Sequence, residues 1–408
     1  MARTSVWRSA AAAAVLALGC TENIAAPASC PGLCPSGNVV LADTLLTAPI
    51  TSDTSVRGYV LVREAGYLLT STMDSLKAVT LIQFSRLLDT VWYPTIGTQT
   101  DTAYIGHTDS VVVFIHVDQR DTSVHNLKLL VYRLPANFDT GATYASIAPY
   151  FTDSTLMDTV AVPDTLQAGD TLSLHIANNL TIPPADTNVI SIGIAMTAPS
   201  PSAFSMQSGA PLTSTTAPFL YYYVHAKAPL DTVTKEFSVE PFFSTFVMSP
   251  APGPPPSGVL TIGGIPTARA TMYLSLPEVA VDSTHIVRAT LLLNTLHPAS
   301  GFASDSFYII AQPVVRDYGP KSVLYPDSSV SGDVVLHEGQ SGQVSLDIAP
   351  ILRFWGTTVG DSTPRLIMLR AYPEGSVLGS VDFQGAGTGP GSPQLKVTYV
   401  KPYHFGAP

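Results

Sequence analysis

The residues best suited to chemistry in this 408-residue chain are few and scattered. His116 and Asp118 alternate onto one face of the apolar run Val111 to Val117, and His125 follows shortly after. Two imidazoles and a carboxylate are zinc donors if a hairpin folds them together. The opposite face of the same run carries Val113, Ile115 and Val117, and such alternation is what any half-buried strand shows. The three are therefore read as a polar, solvated strand face, with no metal assigned. Catalytic motifs are missing. Gly339-Gln340-Ser341-Gly342 lacks the spacing of a nucleophile elbow, and His337-Glu338 lacks the second histidine of a zincin helix. A glycosidase needs two carboxylates across a cleft, and the seven glutamates are scattered, with no pair marked by the sequence as converging. The chain reads as non-enzymatic, with no cofactor.

Aromatic residues fit ligand binding better, because a ring offers large contact area at little entropic cost and can stack on the apolar face of a sugar. Trp92 and Tyr93 are the leading candidates, followed by Tyr318 and Tyr372, whereas Trp355, inside Ile351-Leu352-Arg353-Phe354-Trp355, reads as core. Cys30 and Cys34 are spaced to close a small disulfide in an oxidising compartment; half of a zinc site is the alternative, but no second Cys/His cluster follows. Of 23 aspartates, 18 are followed by Ser or Thr, so most are read as turn caps. Calcium stays open only if separate loops converge, since no Asp-x-Asp-x-Asp-Gly loop occurs.

Arg3 and Arg8 followed by the short apolar run Ala10 to Gly19 have the layout of an export signal. That run falls short of the roughly 20 residues needed to span a bilayer. Leu18-Gly19 before Cys20 resembles the lipobox of bacterial lipoproteins. The resemblance implies lipidation of Cys20, attachment to the envelope through that lipid and, with Thr21 next, sorting to the outer membrane; an ordinary secretory peptide and a secreted protein is the alternative. Residues 1–19 are thus the signal and 20–40, rich in Pro, Ser and Gly, a flexible tether. Net charge is -10 and only 12% of residues are charged. An acidic surface repels phosphate backbones, which excludes nucleic acid as a partner.

The elements that must carry these residues are strands. Val111–Val117, Leu127–Tyr132, Val189–Ile194, Val287–Leu293, Phe307–Ile310, Leu366–Leu369 and Leu395–Val400 are strand-length, rich in β-branched or aromatic residues, and punctuated by 34 prolines and 29 glycines. The fold class is all-β. An internal duplication is also visible: Gly66–Thr70 and Lys77–Leu81 match Gly258–Ile262 and Arg269–Tyr273 at an offset of 192. Ser173–Leu180 matches Ser345–Leu352 at 172, and Pro218–Leu220 matches Pro393–Leu395 at 175. Two tandem domains follow, 41–226 and 231–400, with a tail at 401–408. The extra residues of the first copy fall in Asp89–Thr108, read as a turn-rich loop.

Arg269–Leu276, Val287–Leu293, Val344–Ile348 with Phe354-Trp355, and Pro393–Tyr399 resemble in their order the strand series of DNRLRE-type secreted modules. That resemblance implies two jelly-roll-like antiparallel β-sandwiches, similar to carbohydrate-binding modules, on a bacterial surface. The expected function is a non-enzymatic envelope lipoprotein that binds polysaccharide or a surface protein. A structural envelope component, or a hydrolase or lyase acting on polysaccharide, are the alternatives.

Overall fold

The computed structural model describes residues 41–400 apart from 48, 86, 96–98, 137, 139–140, 177–188, 210–215, 229, 231, 277–284, 303–305, 320 and 388. The signal, Cys20, the tether with Cys30 and Cys34, and the tail lie outside the described residues. Strand accounts for 56% of the structure and helix for 8%, and the strands pair antiparallel: the protein is all-β. Among the described residues no helix is long and apolar enough to cross a membrane.

In chain order the first part comprises β1 (Leu41–Leu46), β2 (Ile50–Arg57), β3 (Tyr67–Met73), β4 (Leu76–Phe84), β5 (Thr90–Pro94), β6 (Thr100–Arg120), β7 (Lys128–Arg133), β8 (Leu156–Ala161), β9 (Thr171–Ile176), β10 (Ile190–Thr197), β11 (Ala203–Gln207), β12 (Phe219–Ala226), β13 (Thr234–Val239) and β14 (Pro241–Ser249). The second comprises β15 (Val259–Gly263), β16 (Ala268–Leu274), β17 (His285–Asn294), β18 (Ser306–Arg316), β19 (Val323–Leu324), β20 (Gly332–His337), β21 (Gln343–Asp347), β22 (Leu366–Tyr372), β23 (Ser380–Gln384) and β24 (Gln394–Val400). Every strand expected from the sequence is present. Some are half-buried as the pattern implies: in β24, Leu395, Val397 and Tyr399 face inward and the residues between them are more exposed, whereas β10 and β22 are buried along most of their length.

The second part is a β-sandwich. One sheet runs β1-β24-β17-β21; the other runs β19-β18-β22-β16-β15-β23, with β2 added to β16 and β20 to β18. Leu291, Leu346 and Val397 from the first sheet meet Ile262, Met272, Ile309 and Ile367 from the second in one buried core. A seven-residue helix, Ala349–Trp355, closes one end and buries Trp355, as the sequence suggested. In the first part, the 21-residue β6 is long enough to serve both layers. It pairs with β5, β12 and β9 along its length and with β11 at its far end. Val113, Ile115, Leu129, Ile192 and Leu220 fill that core. The two parts meet where Tyr67 and Phe246 of the first, stacked at 5.8 Å, cluster with Ile265 and Phe302 of the second.

Strand pairing crosses the boundary read from the sequence. β1 and β2 belong to the sheets of the second part, pairing with β24 and β16. β13 and β14 belong to the first, pairing with β12 and β4. The duplication explains the exchange. Pro49, just before β2, and Pro241, which opens β14, are 192 residues apart, the same offset that relates β3 to β15. The opening strand pair of each repeat is therefore docked on the other repeat's body. The loop expected at Asp89–Thr108 is corrected. It is a paired ribbon of β5 with the start of β6, from Thr90↔Tyr104 to Pro94↔Thr100. Its Thr, Val, Trp and Tyr residues favour strand over loop.

Candidate functional site

The ribbon's alternation sets what it displays. Partner residues in an antiparallel pair share a face. Val91, Ala103 and Ile105 turn toward the core, so Trp92, Thr102 and Tyr104 turn outward. Trp92 is 69% exposed and Tyr104 68%, a large apolar area left open to solvent by two diagonal neighbours. Tyr93 lies on the other face, where its hydroxyl donates to Asp101 at 3.4 Å; partial desolvation, then the Asp101 charge, raise its phenol above the usual value.

Further along β6 the alternation breaks twice. Inward positions are 103 and 105, then 108, then 111 and 113. The register with β12 skips one residue between His107 and Ile105 and another between Ser110 and Thr108, so Gly106 and Asp109 are bulge residues. The two bulges evert His107 and Asp109 onto the outward face, while Thr108 is buried. The first bulge is crowded: a Cβ at Gly106 would come within 3.0 Å of the Lys227 Cα and 3.1 Å of the Ala226 carbonyl oxygen, so a larger residue would need the neighbouring backbone to give by a few tenths of an ångström. Bulges commonly re-aim side chains in this way. Opposite them on β12, His225 pairs in register with His107.

The result is a cluster on the same outward side as Trp92 and Tyr104. Asp109 meets His107 Nε2 through Oδ1 at 3.1 Å and His225 Nε2 through Oδ2 at 2.6 Å. The two imidazoles stack with centroids 4.6 Å apart and planes 8° from parallel. Among the described residues this is the one group of three His, Cys, Asp or Glu side chains whose donor atoms converge. Tyr223, next on the outward face of β12, is 39% exposed, and its hydrogen bond with Glu236 raises its phenol.

The residues singled out in the sequence fall elsewhere or apart. His116 Nδ1 lies 3.2 Å from the Thr171 hydroxyl, and Asp118 accepts from the Ser205 hydroxyl at 2.7 Å. His125 sits 3.0 Å from Asp164, which also accepts from Arg120 at 3.4 Å. Against a desolvation that would raise it, the bonds and charges of His125 and Arg120 hold the Asp164 carboxyl below the usual range. These three candidates do not converge. Tyr318 is 60% exposed in a turn where its N–H donates to the Ser322 hydroxyl. Tyr372 is 49% exposed and pairs across strands with Tyr308, itself 47% exposed, with the Arg370 guanidinium 5.6 Å from its ring. A smaller aromatic pair therefore lies on the second part, remote in sequence from the ribbon.

Sequence reasoning missed His107, Asp109 and His225 because bulges break the period on which face assignment rests and because β6 and β12 are distant in sequence. One signal was legible: His107 and Asp109 are polar residues two apart, following a glycine, where the inward series 103, 105 is interrupted. The aspartates do cap turns, as the sequence implies: Asp121 accepts from the Ser123 N–H at 2.9 Å and Asp327 from that of Ser329 at 2.8 Å. No three carboxylates converge among the described residues, so the single donor cluster is not the all-oxygen kind calcium prefers. No known family model matches this chain, and no curated protein matches it in sequence.

Proposed function

We propose that this protein is a non-enzymatic envelope lipoprotein, held by a lipid on Cys20, whose β-sandwich surface binds polysaccharide. The observation that carries the reading is the exposed pair Trp92 and Tyr104 on the outer face of the β5–β6 ribbon, which offers two ring faces to an extended ligand. A single exposed ring is ordinary, but two adjacent rings on one ribbon face form a patch. His107, Asp109 and His225 on the same side supply polar groups that hydroxyls can hydrogen-bond. The acidic balance of 30 Asp and Glu against 20 Lys and Arg favours a neutral or cationic glycan over a polyanionic one. The signal-like segment ending at Cys20 supports a surface displayed outside the cytoplasm.

Intrinsic fluorescence tests this directly. Once the signal carrying Trp7 is removed, the tryptophans are the exposed Trp92 and the buried Trp355, so an emission change on adding glycan reports Trp92. Titration with neutral bacterial polysaccharides is expected to shift the emission to the blue, and Trp92→Ala with Tyr104→Ala is expected to abolish binding on a glycan array. Absence of binding by the intact protein to any glycan overturns the reading. Copurification of one stoichiometric envelope protein lost in the same double variant would reassign the surface to a protein partner.

A further inference from the structure

We infer that His107, Asp109 and His225 form a binding site for a borderline divalent transition ion, with Zn²⁺ the best match. The donor set comes first: two imidazole nitrogens and one carboxylate suit Zn²⁺, Ni²⁺ and Cu²⁺, whereas Mg²⁺ and Ca²⁺ take oxygen donors. The geometry follows. Both Nε2 atoms point at the same carboxylate, each toward its own oxygen, and all three ligand atoms lie within 4.8 Å of one another. Ligands held about 2.0–2.2 Å from a tetrahedral zinc are roughly 3.3 Å apart, close to the present spacing, and the two rings must swing out of their 8° stack for both Nε2 lone pairs to meet one ion.

The backbone supplies an independent argument. A regular β6 would alternate Tyr104, Gly106 and Thr108 outward and would turn His107 and Asp109 into the core. Two bulges in five residues, one at a glycine whose Cβ would crowd the Lys227 backbone, reverse this. The reversal brings three donors together on one exposed face, and hydrophobic packing gains nothing from it. Binding requires each Nε2 lone pair, which lies in its ring plane, to turn toward the ion beside Asp109. With three protein donors and an exposed rim, the ion keeps one or more positions for water or a ligand oxygen, the coordination found at reactive rather than purely structural zinc sites. The site stands independently of sugar binding, and its test uses no glycan.

The mature chain, stripped with chelator and dialysed, is titrated with ZnSO₄ by calorimetry, with bound metal counted by mass spectrometry. His107→Ala, Asp109→Asn and His225→Ala are each expected to lose one zinc equivalent, or to bind it at least tenfold more weakly, while His116→Ala and His125→Ala keep it. Any contribution from Cys30 and Cys34 is common to all and cancels in the difference. A second measurement does not depend on variants folding: Co²⁺ added to the intact chain is expected to give visible d–d bands of a four- or five-coordinate His/carboxylate site, and excess Zn²⁺ should remove them. Zinc stoichiometry identical in wild type and in His107→Ala/His225→Ala overturns the proposal, as does absence of the Co²⁺ bands.

Discussion

Arg269 is a charge withdrawn almost wholly from water, and its surroundings show how that is tolerated. Its Nε and Nη2 donate to the two carboxylate oxygens of Glu374, each at 2.6 Å, while the Tyr59 ring covers the guanidinium at 3.1 Å. Side-chain exposure is 6% for Arg269 and 8% for Glu374, with Arg370 3.7 Å from the same carboxylate. A bidentate pair is favourable only while both partners remain, because removing one strands a buried charge. Arg269→Met is therefore expected to lower unfolding free energy by about 3–5 kcal/mol, and the double change with Glu374→Leu to recover a large part of it. Urea melts of the two variants check this; equal losses would show that packing of the long side chain dominates. A second pair gives a pH signature. Tyr273 donates to Asp317 at 2.6 Å, and this bond, with the Gly319 N–H, holds the Asp317 carboxyl below its usual range and raises the Tyr273 phenol. A depressed carboxyl means that the folded chain binds fewer protons than the unfolded one in acid. Its contribution is therefore present above the unfolded value near 3.9 and is lost as pH falls below it. Tyr273→Phe should flatten the acid limb of stability, measured as the urea midpoint between about pH 5 and about pH 2.5. Unchanged slopes in wild type and variant would assign the acid sensitivity to other carboxylates.

At the scale of the element, alternation of apolar and polar residues was enough to locate strands such as Val111–Val117 and Leu395–Val400, because a sheet with one wet face buries every second side chain. It was not enough where the chain leaves that period. Asp89–Thr108 reads as a loop because its inward face, Val91, Ala103 and Ile105, is thin and interrupted by Pro94 and the turn. Yet β-branched and aromatic residues pair readily when a neighbouring strand is available. His107 and Asp109 were missed for the opposite reason, since β6 is recognisable as a strand but two bulges invert its faces for three residues. Trp92, by contrast, was legible as a candidate from its type alone, and the ribbon leaves it open rather than wedged into a sandwich edge. Residue type thus points to which side chains merit attention, while face and convergence depend on backbone irregularities and on partners a hundred residues away.

The whole molecule adds what neither scale contains, the exchange of opening strands between repeats. Duplication made two bodies evident, and chain order assigns each body the strands that precede it. Antiparallel pairing instead puts β1 and β2 on the second body and β13 and β14 on the first. Either assignment satisfies the same edges, because the two repeats offer equivalent docking strands, β4 or β16 and β12 or β24. The exchanged form also supplies packing at the junction. Phe246 of β14 stacks on Tyr67 and packs with Ile265 and Phe302, so the donated strand also builds the contact between the bodies. The consequence for fragments runs against the sequence boundaries. Residues 58–249 contain every strand of the first body and should melt cooperatively, whereas 41–226 lacks β13 and β14 and leaves the edges of β12 and β4 open. Residues 231–400 lack β1 and β2 and should be incompletely folded until a peptide spanning 41–57 is added, which would restore β16 and β24 by strand addition. Circular dichroism melts of the three fragments, with and without the peptide, read this out. Cooperative melting of 41–226 and of 231–400, each alone, would show that the repeats use their own opening strands and that the exchange is dispensable.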